Sequence, residues 1–535
     1  MSRAPANVNA TGTPASAILA GMDRETLPPR ATLAWALLAA IAATAFALAT
    51  YSNVPPSSDV WDYAQEARQL ARGEGFTSLY TYPVHLGHDS PPFPVGWRMP
   101  LYAAIGAAVL KLGIPLPAGY FAVGIVSHAL LVGLLFLLAS HLHSARAGAI
   151  AAAAAIASPL LLDPYSAALS QLPAAALALG VWLFLLRGSG VVSACGAALL
   201  AAAAWYLRGE SLLMVPVWIW AASSGGRPRR GAAFVLLYVA LCVPWLIALR
   251  TSVGAAAPIQ GNPMLLYTAE YPGYSSSRAY GEAMPGMLAY AIHHPAALLW
   301  RFAKDAVGYG VDVLWGLGPI AVGLGIAGLL LREASTRWRS LAPALPLLLA
   351  AAIQIAAFSL LERSPRFLVP AMPLLCAALG IAAAPSLDRF CGRRMVVAIF
   401  AVLLLERGAT LAFETREAAR RFPPLPKALA GELTERLQGH PRSALLWTDL
   451  PDWVAWHLDR PALLLPLWRQ MDRVAADHPA AGIFLSPDAR ARNLADGEGE
   501  WVHTIERGEP IPGWNGPEIL TGGAQLYLPA RHPAR

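Results

Sequence analysis

The sequence predicts an all-α polytopic membrane protein with a small α/β domain at its C-terminal end, and three observations lead there. Hydrophobic residues make up 56% of the 535 residues and charged ones only 14%, about half the charged share of an ordinary soluble domain. The charges are unevenly placed, leaving runs of roughly 18 to 25 uncharged residues that match the thickness of a hydrocarbon core. From residue 412 onward the long apolar runs stop, and short strand-like and helix-like segments alternate instead.

The first 30 residues are rich in Ala, Pro, Thr and Ser and read as a disordered cytoplasmic segment. Ala31 to Tyr51 follows Arg24 and Arg30 and exceeds the roughly 7 to 15 residues of a signal-peptide core, so it reads as a retained first span. Further spans are expected at 117–140, 147–162, 168–186, 190–206, 209–222, 231–249, 306–331, 341–358, 366–384 and 395–411, giving about 11 in all. One set of short loops carries Arg146, then Arg187, then Arg227, Arg229 and Arg230. The same set continues with Arg332, Arg337 and Arg339, and ends with Arg389, Arg393 and Arg394. These five clusters fall on one side of the membrane, which the positive-inside rule makes the cytoplasm, together with the N-terminus. The opposite side receives loops 52–116 and 250–305 of the 31–411 membrane domain, and the whole tail, 412–535.

The net charge of +7 comes almost wholly from arginine, since Lys111, Lys304 and Lys427 are the only lysines. Because those arginines lie mostly in short loops between apolar runs, the charge marks topology and not a nucleic-acid surface. Cys195, Cys242 and Cys376 fall in apolar runs and Cys391 in a cytoplasmic loop, so no disulfide framework is expected outside. In the tail, Ser443–Thr448, Pro461–Pro466 and Gly482–Ser486 read as buried strands, with Glu500–Ile505 and Gln525–Leu528 as further strands. Asp452–Leu458 and Leu467–Ala476 read as intervening helices, giving a small α/β domain.

The chemistry concentrates in loop 52–116. Asp59 and Asp62 stand just beyond the first span, and from Asp62 to Leu70 the spacing suits an amphipathic helix with Tyr63, Ala67 and Leu70 on one face. A carboxylate at the mouth of a membrane cavity can take a proton from an acceptor hydroxyl. Asp59 can equally cap that helix, and from the residues alone the two readings stand level. Farther along, His85-x-x-His88-Asp89 has spacing compatible with a divalent metal, although it sits among prolines and glycines. Tyr267, Tyr271 and Tyr274 in the second long loop can stack on sugars or pack the loop against the membrane.

Five ordered elements carry a family resemblance. They are Asp59-x-x-x-Tyr63 followed by an Ala-containing helix and Gly73; Arg98-Met-Pro-Leu-Tyr102; Tyr206-Leu-Arg208; Val243-Pro-Trp…Arg250; and Glu362-Arg363-Ser-Pro-Arg366-Phe…Pro370. In this order the chain, over roughly 31–411, resembles the polyprenyl-phosphate-dependent membrane glycosyltransferases of the C-type fold. That family includes protein O-mannosyltransferases, lipid A aminoarabinose transferases and bacterial lipopolysaccharide-core sugar transferases. The resemblance implies an inverting transferase that moves a sugar from a polyprenyl-phosphate donor to a cell-envelope acceptor, which is a lipid, a glycan or a protein. It implies a bacterial cytoplasmic membrane and chemistry at its outer face. Asp59 becomes the catalytic base, with Asp62 and Asp163 as candidate second acids. Arg98, Arg208, Arg250, Arg363 and Arg366 become candidate holders of the donor phosphate, and Tyr63 and Tyr102 candidate contacts to acceptor or sugar.

Arginine suits that role because its planar fork donates two hydrogen bonds to a phosphate at once. The bland alternative is that these arginines are snorkelling anchors at helix ends. Two positions depart from the family pattern. The acid that often follows the family's Ser in the fourth span is Gln171 here, after Ser170, and the acidic position through which some members bind metal is Trp97. No cofactor is assigned, and a divalent metal has only His85, His88 and Asp89 as weak candidates. The rival reading is a transporter or flippase of lipid-linked sugars, which would place ionisable groups near the midplane of broken helices. An inactive membrane scaffold is the third.

Overall fold

In a hydrocarbon core a backbone amide without a partner costs several kcal/mol, so uncharged runs close their hydrogen bonds within helices. The computed structural model of the protein describes residues 29–51, 58–86, 90–162, 168–253, 276–281, 291–331, 341–361, 363–390, 393–421, 425, 427–495 and 499–530. The chain enters through α1 (Pro29–Tyr51), whose Leu33, Trp35, Leu37 and Ile41 point outward and are largely exposed. Large apolar side chains facing out of a helix bundle mark a lipid-facing surface. After α2 (Ser58–Arg72) and α3 (Pro100–Lys111) come α4 (Ala118–Leu142), α5 (Ala145–Ile156), α6 (Gln171–Arg187), α7 (Val191–Leu207), α8 (Val215–Ser223) and α9 (Pro228–Val253). The second half holds α10 (Pro295–Leu317), α11 (Pro319–Leu330), α12 (Leu345–Leu361), α13 (Met372–Phe390) and α14 (Arg393–Arg421).

Among the described residues, Arg30–Thr50, Ala118–Leu142, Pro228–Ser252 and Ala342–Leu361 are long and apolar enough to cross a membrane, and the bent pair α10–α11 makes a fifth if taken as one span. Shorter apolar helices fill the space between them. The protein is thus a multi-pass helical membrane protein, with alanine forming much of the interface. Gly380 on α13 meets α5 so closely that an added Cβ would lie 2.3 Å from the Ala147 carbonyl oxygen. Small residues permit that approach, and packing takes over where the hydrophobic effect is absent between helices.

Several expected spans depart from simple rods: 341–358 and 366–384 open as 3₁₀ turns over Ala342–Ala344 and Pro365–Leu368, and two others depart further. The run 306–331 breaks by 97° between α10 and α11. The break sits at Gly318, with φ +84°, followed by Pro319, which cannot donate a backbone hydrogen bond. Arg407 on α14 donates to the Trp315 carbonyl freed by the break, at 2.6 Å. The expected 209–222 span opens as a 3₁₀ turn over Gly209–Met214 before α8.

Beyond α15 (Lys427–Arg436) the chain builds a six-stranded sheet in the order β2-β5-β4-β6-β8-β7. Its strands are β2 (Tyr80–Thr81), β4 (Leu445–Thr448), β5 (Ala462–Leu464), β6 (Ala480–Leu485), β7 (Trp514–Ile519) and β8 (Gln525–Pro529). β2, β5, β4 and β6 run parallel, while β8 and β7 add an antiparallel edge. Parallel strands must be covered on both faces. Leu429, Leu433 and Trp453 pack on one face, and Trp447, Ile483 and Trp501 on the other. Helices α16 (Pro451–Leu458) and α17 (Met471–Asp477) stand where helices were expected. Two local expectations fail. Glu500–Ile505 lies in a helix, Gly499–Arg507, because Trp501, Val502 and Thr504 repeat at helical and not alternating spacing against the core. Trp514–Ile519 is a strand that was not foreseen, on the exposed edge, where no buried alternation announces it. The edge strand β2 belongs to the first long loop, so that loop and the tail share one sheet. A two-stranded ribbon of β1 (Thr77–Ser78) and β3 (Phe93–Pro94) completes the loop.

Candidate active site

Helix α2 stands where the loop leaves α1, and its apolar stripe of Val60, Tyr63, Ala64 and Ala67 is buried against α3 and α4. Tyr120 on α4 donates to the Tyr63 carbonyl at 3.0 Å. Gly106 on α3 makes room for it, since a Cβ there would lie 2.1 Å from the Tyr120 hydroxyl. With that face inward, Asp59, Asp62 and Glu66 fall at i, i+3 and i+7 and share the adjoining face. Pro100 opens α3 with a φ suited to a first helical turn, leaving Arg98 in the segment ahead of it and aimed back at α2. Arg366 arrives from the 3₁₀ turn Pro365–Leu368 between α12 and α13.

These side chains converge. Asp59 sits in the first turn of α2, but its oxygens do not go to the backbone: Oδ1 accepts from Arg98 Nη2 at 2.6 Å and Oδ2 from Arg366 Nη1 at 2.5 Å. Asp62 Oδ2 accepts from Arg98 Nε at 2.5 Å. The Arg98 guanidinium also lies over the Tyr63 ring, 4.9 Å from its centroid. The Tyr63 hydroxyl lies 2.9 Å from Ser170 Oγ, and its ring meets Tyr102 edge-on at 4.9 Å. Burial alone would push the Asp59 carboxyl up, but the charges of Arg98 and Arg366 outweigh it and hold the acid well below the usual carboxylate range. Two carboxylates therefore face two guanidiniums in a largely enclosed site, of which Asp59 and Arg366 keep 22% and 37% exposure.

The other sequence candidates divide. Arg208 follows α7 and pairs with Glu210, and its charge reaches both Asp59 and Tyr63. Arg363 does not join the cluster: it turns to Asp312 on α10, donating from Nη2 to Oδ1 at 2.8 Å and from Nε to Oδ2 at 3.1 Å. Proximity in sequence to Arg366 does not decide this, because the turn at Pro365 sends the two side chains apart. Arg250 is exposed near the end of α9. Asp163, His88, Asp89, Tyr267, Tyr271 and Tyr274 lie outside the described residues. His85 stacks on Trp97 at 5.4 Å, and burial brings its pKa down to about 4. Among the described residues no three His, Cys, Asp or Glu side chains gather as a metal-binding group.

Two acids escaped the sequence reading. Glu66 is fully buried one turn after Asp62; its burial and then the Asp62 charge hold its carboxyl well above the usual range. The repeat of acids at 59, 62 and 66 on a buried helix face was the available signal. Asp452 comes from α16 of the tail, and burial followed by the Asp62 charge pushes it up to about 7. Nothing local marks it. The α16 helix reaches the site because α2 holds it: Arg68 donates to the Trp456 carbonyl at 2.8 Å, and Arg72 forks onto Asp459 at 2.9 and 3.0 Å.

No family model matches this chain, and no curated protein matches it. Solved structures do. ArnT from Cupriavidus metallidurans bound to undecaprenyl phosphate aligns with a TM-score of 0.55 at 14% identity, covering 92% of this chain and 98% of that one. The archaeal oligosaccharyltransferase AglB from Archaeoglobus fulgidus, in complex with an inhibitory peptide and a dolichol-phosphate, aligns at 0.56 and 12%, covering 94% and 75%. Arabinofuranosyltransferase AftD from Mycobacteria aligns at 0.52 and 17%, covering 95% and 42%. The chain has the fold of the polyprenyl-phosphate-dependent membrane glycosyltransferases of the C type.

Proposed function

We propose that the protein is an inverting glycosyltransferase that moves a sugar from a polyprenyl-phosphate donor to a cell-envelope acceptor at the outer face of the cytoplasmic membrane. The observation that carries this reading is Asp59 held between Arg98 and Arg366. Two guanidiniums on one carboxylate form a ready anion site, and a phosphate offers more acceptor oxygens than Asp59 does. Lipid phosphates stand in the names of two of the solved structures that share the fold.

In the reaction, the donor phosphate takes the arginines and Asp59 is released from them. Its charge then loses its stabilising partners, so its affinity for a proton rises when an acceptor is needed. Asp59 takes the proton from the acceptor hydroxyl as that oxygen attacks the anomeric carbon. The bond from that carbon to the phosphate oxygen breaks with its electron pair going to the phosphate, and the configuration inverts in the single displacement. Arg98 and Arg366 face the oxygens on which charge grows, which stabilises the transition state more than the bound donor.

Undecaprenyl phosphate, the leaving group, tests the site without knowledge of the sugar. Arg366→Ala is expected to weaken its binding to protein in lipid nanodiscs by about tenfold or more, as for loss of a charge-assisted contact. Arg366→Lys keeps the charge but not the fork and falls between. Normal binding by the Ala variant would leave Arg366 an interfacial anchor and remove the reading.

A further inference from the structure

The mechanism above uses Asp59, Arg98 and Arg366 and leaves a buried pair unexplained. Asp62 and Glu66 lie one turn apart on α2 and are 2% and 0% exposed, and their i, i+4 spacing sets the two carboxyl groups side by side on one helix face. Asp62 gives Oδ2 to Arg98 Nε. Among the described residues, its Oδ1 and both Glu66 oxygens have no amide, hydroxyl or guanidinium donor. A dry carboxylate oxygen without a donor is costly, and two facing carboxylates cannot supply one unless one of them keeps a proton.

We propose that Glu66 is a positioning residue that remains the neutral acid, donates its proton to Asp62 and so fixes the carboxylate that aims Arg98 at the donor phosphate. The inference rests on the transferase reading and deepens it. Charge balance gives the reason for the arrangement. With Glu66 neutral, the Asp59 and Asp62 carboxylates are matched by the Arg98 and Arg366 guanidiniums, and an arriving phosphate meets a site without excess negative charge. With Glu66 ionised, a third carboxylate beside the pair repels the phosphate and competes for Arg98. The groups that face Glu66 agree with this. Asp62 and Tyr63 share α2, Arg98 leads into α3, and Tyr120 stands on α4 with Tyr102 stacked on it at 4.5 Å. Only Arg98 among them is a cation, and Asp62 and Asp59 already engage it. Burial, then the Asp62 charge, raises the Glu66 carboxyl well above its usual range.

The test compares wild type, Glu66→Gln and Glu66→Ala in nanodiscs across pH 6 to 10. Infrared spectra should show a protonated-carboxyl C=O band in wild type at pH 8 that Glu66→Gln diminishes, and absence of that difference would overturn the proposal. Wild-type affinity for undecaprenyl phosphate should fall on the alkaline side as Glu66 is forced to ionise. Glu66→Gln still donates a hydrogen bond, so it should bind within a few-fold of wild type at pH 7 and lose most of that alkaline fall. Glu66→Ala leaves Asp62 Oδ1 without a donor and should bind roughly tenfold more weakly at every pH. A Gln variant as weak as Ala, or one that keeps the wild-type alkaline fall, would sink the positioning role while leaving the transferase reading intact. Failure of wild type itself to bind undecaprenyl phosphate would instead remove both.

Discussion

Replacing Asp59 by Asn should move binding and turnover in opposite directions. In the structure the carboxylate occupies both guanidiniums that would receive the donor phosphate, so the lipid must displace it. Asn keeps the size but gives up the charge and so competes weakly. The contact to Arg98, which is only 13% exposed, is a charge-assisted bond worth about 1.5 to 3 kcal/mol. The Arg366 contact is more open to solvent, at 37% exposure, and adds only about 0 to 1 kcal/mol. Together these make about 1.5 to 4 kcal/mol, so at 1.4 kcal/mol per tenfold undecaprenyl phosphate should bind roughly ten- to several-hundredfold more tightly. Turnover should fall by roughly 10²- to 10⁴-fold, the usual loss on removing a general base. Asp62→Asn is the contrast: it loosens the Nε side of Arg98, so it should weaken binding and turnover together. Titration of undecaprenyl phosphate in nanodiscs, with turnover measured at equal protein, reads both quantities. Wild-type turnover in Asp59→Asn, or weaker lipid-phosphate binding by it, would refute the reasoning.

The remaining expectations concern stability and orientation. Asp452 keeps its proton up to about pH 7 in the folded chain, whereas the unfolded chain releases it near pH 4. The folded state therefore binds more protons across that window, and its stability falls by about 1.4 kcal/mol per pH unit as pH rises through it. Asp452→Asn should flatten that decline in thermal unfolding measured from pH 4 to 8, and an unchanged slope would place the proton elsewhere. Gly318→Ala should lower the unfolding midpoint, because φ +84° is strained for any side chain by about 1 to 3 kcal/mol and the new Cβ lies 2.6 Å from the Arg407 guanidinium carbon. A midpoint equal to wild type would mean that the break relaxes freely. If the tail is extracytoplasmic, a Cys placed at the exposed Ser443 should react with a membrane-impermeant thiol reagent in intact cells once any outer membrane is permeabilised. Labelling only after lysis would reverse the orientation.

Much of this molecule is written locally. Uncharged runs such as Ala118–Leu142 must become helices wherever they meet lipid, because no other structure satisfies their backbone. Periodicity likewise announces α2, whose apolar stripe repeats at helical spacing, whereas the ordered elements around Asp59, Arg98 and Arg366 suggest an anion site only through the family resemblance they carry. What local pattern cannot carry is partnership across the chain. Arg366 meets Asp59 from 307 positions away, while Arg363, three residues earlier, goes to Asp312. The choice is made by a 3₁₀ turn and the packing of α12 and α13. The same holds for Tyr80–Thr81, two residues that carry no strand signal and become one only because β5 offers its edge. Glu500–Ile505 is short enough to suit either structure until a core claims Trp501 and Val502. The charge states of Glu66 and Asp452 belong wholly to the tertiary structure, since burial and a neighbouring carboxylate raise an acid, and neither exists until α2, α3 and α16 have closed around it.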